Sequence, residues 1–445
     1  MAIISEADCK AIMKKALSYS KADECEINLS GTDTGNIRYA LNNVSTSGYI
    51  SQTSMAISSA YGKKLGIVTT NEYDDASIEK AVRLSEELAH LAPENPEYVS
   101  FLGPQTYGKP AKTFVEATAA MTPAQRTTMV GQSLQTAKEN NLTAAGFLQN
   151  SLGFSSIMNS HGLFAYNTST NVNFSVTLRT DDSQGSGYSS KDFNDVSKMD
   201  TLAFTKIAAK KATGSKGAKA IEPGKYTVIL EPAAGIVLLE QLYGGLDARS
   251  ADEGRSFLSK PGGLTKLGEK MVDERINIYS DPSNPDLPSS NWAGDGQPRQ
   301  RTSWIEKGVI KNLAYSRYWA QKKGVKPLPG PGGIIMEGGT ATLDELIKGT
   351  EKGILVTRLW YIRPVDPQTL LFTGLTRDGT FYIENGQIKF PIKNFRFNES
   401  PVIMLNNLDA LGIPERAVSG ESFQSAMIPP MRIRDFTFTS LSDAV

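Results

Sequence analysis

The sequence predicts an α+β fold, with antiparallel sheet and long helices mixed in the N-terminal half and a β-rich C-terminal half. Three observations predict it. Val172, Phe174, Val176 and Leu178 alternate with Asn171, Asn173, Ser175 and Thr177, the period of a half-buried antiparallel strand. Long segments of helical period occur mainly before residue 212. Beyond residue 300, short apolar runs separated by tight turns dominate, as expected of strands.

In chain order, Ala7, Ile12, Met13, Ala16 and Leu17 space an amphipathic helix over residues 5–18. Residues 26–29, 36–41, 54–60 and 65–69 read as strands, with a hairpin turn at Gly62-Lys63-Lys64. Residues 74–91 form a strong amphipathic helix, its apolar face made by Ile78, Ala81, Val82, Leu84, Leu88 and Leu91. It stops before Pro93. Residues 94–110 are rich in Pro and Gly and read as a connection. Thr122, Pro123 and Gln125 then give a capping box with proline at the first helical position, starting a helix that runs to about residue 140.

Strands are expected at 144–150, 155–159, 163–168 and 171–178, and a helix near 199–211. Residues 213–219 are a Lys/Gly stretch and read as a solvated linker. We place the main boundary there, giving an N-terminal α+β region over 1–220, itself divisible near 94–122, and a C-terminal β-rich domain over 221–445. That domain opens with a buried strand at 226–230 and a helix from Pro232 to about Gly244. Residues 280–301, with Pro282, Pro285, Pro288 and Pro298, read as a surface loop. Strands follow at 304–315, 354–360, 370–374, 380–384 and 388–391, the Asn385-Gly386 turn being the clearest. Short helices are expected at 343–349 and 402–411, and a last strand at 431–439.

Of 445 residues, 40% are hydrophobic and 21% charged, so a packed globular protein is expected. Lys plus Arg and Asp plus Glu are 47 each. That balance gives no reason to expect nucleic acid or an anionic membrane as partner. No apolar run approaches the roughly 20 residues of a membrane helix. The start, Met1 to Asp8, brings acidic residues at once without a basic segment or apolar core, so a cytoplasmic protein is expected.

Chemistry-bearing residues are sparse. The two histidines, His90 and His161, have no His or Cys at ligand spacing, so neither marks a zinc site. Cys9 and Cys25 are far from a CxxC and read as small buried residues. No nucleophile elbow is present. Asp247, Asp252, Glu253, Asp273 and Glu274 cluster in sequence and could hold a hard cation, although a solvated surface suits them better. Pro329-Gly330-Pro331-Gly332-Gly333 lacks the strand and helix context of a phosphate loop and reads as a turn.

Several stretches, in order along the chain, resemble the TldD/TldE (PmbA) family. They include Asn36-Ile37-Arg38-Tyr39, Gly62-Lys63-Lys64-Leu65-Gly66, Thr69-Thr70-Asn71-Glu72 and Asn159-Ser160-His161-Gly162. In the second half they include residues 223–232, Trp304-Ile305-Glu306-Lys307-Gly308 and Ile383-Glu384-Asn385-Gly386. In the zinc-bearing TldD type, the helix after the Glu-Pro strand end carries H-E-x-x-x-H, and a later cysteine completes the site. Here that helix reads Leu239-Glu240-Gln241-Leu242-Tyr243-Gly244. Only Glu240 matches, and Val418-Ser419-Gly420-Glu421 stands near the cysteine position.

The resemblance therefore implies a TldE/PmbA-like chain with no catalytic residue and no metal of its own, zinc being expected only in a TldD-type partner. Leu239 and Gly244 offer no side-chain donor, and a metal-activated water needs about three protein ligands. Ile236, Leu239, Tyr243 and Leu246 make an apolar stripe instead, and Glu240, one position off it, reads as a surface or interface residue. The implied assembly is a homodimer or a heterodimer with a zinc subunit, acting on unfolded peptides. Gly338, Gly339 and Thr340 are the candidate edge for an added peptide strand, or a turn before the next helix. Two other readings stay open: a non-enzymatic homodimeric peptide-binding protein, and an independent peptidase with a carboxylate metal site.

Overall fold

A computed structural model of the chain describes residues 3–422 and 424–442. Its N-terminal half is built on one antiparallel six-stranded sheet. In chain order the elements are α1 (Glu6–Tyr19), β1 (Glu24–Ala40), β2 (Asn43–Tyr61), β3 (Lys64–Thr70), α2 (Asp75–Leu91), α3 (Glu116–Ala119), α4 (Pro123–Glu139), β4 (Leu142–Asn159), β5 (Phe164–Thr180), β6 (Ser186–Phe193) and α5 (Thr201–Gly214). The sheet order is β3-β2-β1-β4-β5-β6. Side chains of β1 alternate, so Ile27, Leu29, Ile37 and Tyr39 all point to one face. Ile27 and Leu29 pack in a core with Cys9, Met13, Ile78 and Val82 of α1 and α2. Ile37 and Tyr39 pack in a second core with Val130, Ala137, Ala208 and Ala212 of α4 and α5.

Four of these strands are far longer than the sequence suggests, β2 reaching 19 residues where 54–60 are expected. The pairs of strands expected at 26–29 and 36–41, 144–150 and 155–159, and 163–168 and 171–178 each join into one strand of 17 or 18 residues, against about 5–6 in an ordinary sheet. The joining residues, 30–35, 151–154 and 169–170, are mostly Ser, Thr and Gly, with Asp33, Leu152 and Phe154 among them, too few apolar positions to announce a strand. The ladders on either side hold them: β1 pairs with β2 and with β4 through Gly31 to Asn36.

Helix α2 starts and stops as the spacing predicts, with Asp74 accepting from Ser77 N at its start. Its buried face is rotated from the expected one. Ile78, Ala81, Val82, Ser85 and Ala89 are buried, while Leu84, Leu88 and Leu91 are exposed. The reason is close approach to Gly66 of β3: a Cβ there would stand 2.1 Å from Ser85 O and 2.3 Å from Ala89 N. Small residues on both surfaces let the helix backbone settle on the strand. The capping box of α4 is present in full, Thr122 Oγ1 accepting from Gln125 N and Gln125 Oε1 from Thr122 N.

The C-terminal half opens with β7 (Gly224–Leu230) and α6 (Pro232–Gly244). β7 lies between Lys352–Asp366, which runs parallel to it, and Met431–Leu441, which runs antiparallel. Phe395–Glu399 and Leu371–Glu384 continue the sheet, and the latter pairs back onto Lys352–Asp366. These five strands therefore close on themselves. Phe395, Phe397, Phe436 and Phe438 stack within the core, with ring centroids 4.7 Å apart for Phe395 and Phe438. A second six-stranded sheet includes Thr302–Glu306, Ile278–Ser280, Ile334–Met336, Ser425–Ile428 and Glu415–Val418. α6 is packed in one large core with residues of both sheets.

Two expected elements change. The strand at 304–315 is a hairpin, because Lys307 and Gly308 take positive φ values of 49° and 72° and turn the chain. The helix at 402–411 ends at Asn406, and Leu408–Leu411 is a strand paired with Met431–Leu441. The edge of that sheet overrides the helical spacing. Among the described residues no helix is long and apolar enough to cross a membrane.

Candidate functional site

The site to test is where α6 meets the segment after Glu415–Val418. α6 begins at a fixed point. Pro232 occupies its first turn, and the Glu231 carboxylate before it accepts from Lys211 Nζ at 2.7 Å and from Thr357 Oγ1 at 3.2 Å. α6 is then almost wholly interior: Ala234 to Leu239 and Leu242 are buried. The apolar stripe expected from the sequence holds for Ile236, Leu239 and Leu246, which are fully enclosed, while Tyr243 is partly buried against them.

Of the three degenerate motif positions, Glu240 meets residues 419–422 in space. Ser422 Oγ donates to Glu240 Oε2 at 2.6 Å. Glu240, expected as a surface or interface residue, is half-buried against this loop. Burial raises its pKa, hydrogen bonds from Ser422 and Ser419 oppose that, and the Glu421 charge adds to it. The loop itself is held by Ser419, fully buried, whose Oγ accepts from Glu421 N and Ser422 N at 3.2 Å each. Glu421 is turned elsewhere, its Oε1 accepting from Tyr361 N at 2.7 Å and its Oε2 lying 3.9 Å from Arg363 Nη1. Tyr243 Oη, one turn from Glu240, is buried with no partner among the described residues, and burial raises its pKa.

These residues do not fit a zinc ion. Leu239 is packed inside the core and cannot turn a donor to the site. Gly244 has no side chain, and a Cβ there would meet nothing within 4 Å. Glu240 is bonded to a hydroxyl. Zinc of either structural or catalytic type draws on at least three protein donors. No group of three or more His, Cys, Asp or Glu able to hold a metal ion occurs among the described residues.

The other candidates lie apart from this site. His90 stacks on Tyr61 with centroids 3.9 Å apart, and His161 Nδ1 is 3.0 Å from Phe101 O. Cys9 and Cys25 are free and buried in the α1–α2 core. The carboxylates after α6 are individually paired: Asp247 caps Ser250 N, Asp252 meets Lys323, Glu253 meets Arg249 and Arg255, Asp273 meets Arg275, and Glu274 meets Lys270. Gly338 and Gly339 do permit close backbone approach, but the neighbour is internal. A Cβ on them would stand 2.4 Å from Gly412 O and 2.3 Å from Leu411 O, and Gly339 N donates to Gly412 O. Thr340, next in the chain, is exposed.

Three family models cover the chain in order. They are the PmbA/TldA metallopeptidase domain 1 over residues 25–89, the central domain over 115–216 and the C-terminal domain over 223–440. The chain belongs to the PmbA/TldD family. Metalloprotease PmbA of Escherichia coli O157:H7 is 21% identical over 97% of this chain and 98% of its own length. A metalloprotease of Methanothermobacter thermautotrophicus is 26% identical over 50% of this chain, a match spanning 53% of that relative. The crystal structure of TldE from Thermococcus kodakarensis superposes with a TM-score of 0.86 at 19% identity, covering 97% of this chain and 100% of that one. In this member of the PmbA/TldD family, the α6 helix and residues 419–422 lie side by side, joined by the Ser422–Glu240 hydrogen bond.

Proposed function

We propose that this chain is the metal-free, TldE-like subunit of a cytoplasmic peptidase assembly of the PmbA/TldD type. A zinc-bearing partner supplies hydrolysis, and this chain supplies wall and contacts for an unfolded peptide. The observation that carries the reading is the packing of Leu239. Its side chain fills the core where the zinc-bearing type presents a histidine, so the position serves stability and has no donor to offer. Glu240 alone, bonded to Ser422, has no ion to orient and no polarised water to deprotonate.

The test is to purify the chain alone and together with a zinc-bearing subunit of the family. Zinc per chain and cleavage of an unfolded peptide, with and without chelator, are then measured. The expected result is zinc and chelator-sensitive cleavage only when the zinc subunit is present, together with co-elution of the two chains. Stoichiometric zinc on this chain alone, with cleavage that a chelator abolishes, would overturn the proposal.

A further inference from the structure

The 280–301 loop and the Pro-Gly turn at 329–333 have no part in the α6 site. Together with residues 102–106 they enclose a cavity of about 430 Å³. Its walls include Leu102, Pro298 and Leu328, and it is also lined by Trp304, whose Nε1 donates to Ser280 Oγ at 3.0 Å. Arg299 lines the same cavity. Its Nε is buried and bonded to nothing among the described residues. The guanidinium lies against the backbone of Gly332, where a Cβ would stand 3.0 Å from Nη1 and 3.2 Å from Cζ.

Three other arginines of this half have a carboxylate within bonding distance: Arg275 has Asp273, Arg358 has Asp378 and Arg416 has Asp192. Arg299 makes no such ion pair among the described residues. Asp295 acts on it only through space, and both oxygens of that carboxylate are taken by Gln297, through N at 3.2 Å and Nε2 at 2.8 Å. The Nε of Arg299, removed from water without a partner, is destabilising. A bound oxyanion would offset that through the two parallel bonds a guanidinium fork makes to a carboxylate.

We propose that this cavity binds the carboxylate of a short peptide, with Arg299 as the group that holds it. A carboxylate fits better than a phosphate. One other cation, Lys326, lines the cavity, and Leu102, Trp304, Leu328 and four prolines give part of its wall an apolar surface suited to a side chain beside the charged end. Gln300 adds an amide within the same wall for a peptide group. The choice of a peptide rests on the family reading above; the anion-holding role of Arg299 does not.

The test uses the full chain purified without a partner. Isothermal titration is run with N-acetyl-Ala-Ala-Leu as free acid, with the same peptide as C-terminal amide, and with inorganic phosphate. The free acid is expected to bind, the amide at least about tenfold more weakly. Arg299→Gln is expected to weaken the free acid by a similar factor, with unchanged circular dichroism. Arg299→Lys, which keeps the charge and loses the fork, and Gly332→Ala, whose Cβ displaces the guanidinium, are expected to weaken it as well. Equal binding of acid and amide, undiminished binding by these variants, or binding of phosphate without the free acid would each overturn the proposal. The measurement involves neither partner nor hydrolysis, so failure of the subunit reading would leave its outcome unchanged.

Discussion

Arg416 of the C-terminal half holds Asp192 of the N-terminal sheet through two bonds, Nη2 to Oδ2 at 2.8 Å and Nε to Oδ1 at 3.3 Å. Their side chains are 9% and 1% exposed. Ser425 Oγ and Asn171 Nδ2 also donate to Asp192, and Arg416 Nη1 donates to Asn194 Oδ1 at 2.8 Å. Breaking one member of such a pair leaves the other charge buried and uncompensated, which costs about 3–5 kcal/mol. Asp192→Ala and Arg416→Ala are each expected to lose stability of that order. The double substitution should cost clearly less than the sum, because it leaves no orphan charge. Urea unfolding of the four chains measures the coupling; additive losses would show that the pair contributes nothing as a pair.

The same junction shows what the sequence could not display. β6 (Ser186–Phe193) reads Ser-Gly-Tyr-Ser-Ser-Lys-Asp-Phe, with neither a helical nor a strand period, yet most of it is buried. Its glycine lies under α5, where a Cβ on Gly187 would stand 2.1 Å from Ala208 O, and its Lys191 and Asp192 reach Glu415 and Arg416. Partners remote in sequence make this a strand, so no local pattern announces it. The elements that were legible carry their own signals: the capping box of Thr122, the Gly62 turn with φ +57°, and the Pro232 start of α6. At the site, family resemblance placed Leu239, Glu240, Gly244 and the 418–421 segment. Ser422, Tyr361 and Arg363 were missed because they reach Glu240 and Glu421 from separate parts of the chain. Arg299 carried no motif at all.

Leu239 and Gly244, which the resemblance sets at the two histidine places of the family motif, differ in environment, so truncating one and extending the other should move stability in opposite directions. Leu239 is fully enclosed, and Leu239→Ala is expected to destabilise by about 2–5 kcal/mol. Gly244 closes the last turn of α6 with open space where a Cβ would stand. Gly244→Ala should be neutral or stabilise by up to about 1 kcal/mol, since alanine restricts the unfolded chain and favours helix. Denaturant midpoints of the two variants decide it. A large loss at Gly244 would mean that its open side is covered in solution.

Glu240 gives a pH dependence of defined sign. Its carboxyl is held above the ordinary value of 4.5, chiefly by burial. Between the unfolded and folded values the native state binds more protons than the unfolded chain, so stability falls as pH rises through that window. The contribution is fully present below pH 4.5 and is lost as pH passes the folded value. Glu240→Gln keeps the shape and cannot ionise. Its stability relative to the parent chain should therefore increase with pH from about 4 toward 7, and level off once Glu240 is ionised in both states. A series of urea midpoints across that range, taken as the difference between the two chains, isolates the effect from other carboxylates. A flat difference would mean that Glu240 titrates alike in both states.

Cys9 and Cys25 supply the last expectation. Cys9 sits on α1 and Cys25 on β1, both in the core that α1 and α2 form with the sheet, and Cys9 Sγ is turned to Ile4 O at 3.6 Å. Burial, with the Asp8 and Glu6 charges adding to it, pushes the Cys9 thiol up to about 12, and burial raises Cys25 as well. The reactive species is the thiolate, so at neutral pH neither residue should react while the fold is intact. A thiol reagent added to the native chain should label neither cysteine on the time scale of minutes, and both in denaturant. Because Cys9 sits on α1 itself, Ala16→Gly in that helix should loosen it, raising the labelling rate of Cys9 more than that of Cys25. Rapid labelling of both cysteines in the native chain would show that the α1–α2 core opens far more readily than its packing implies.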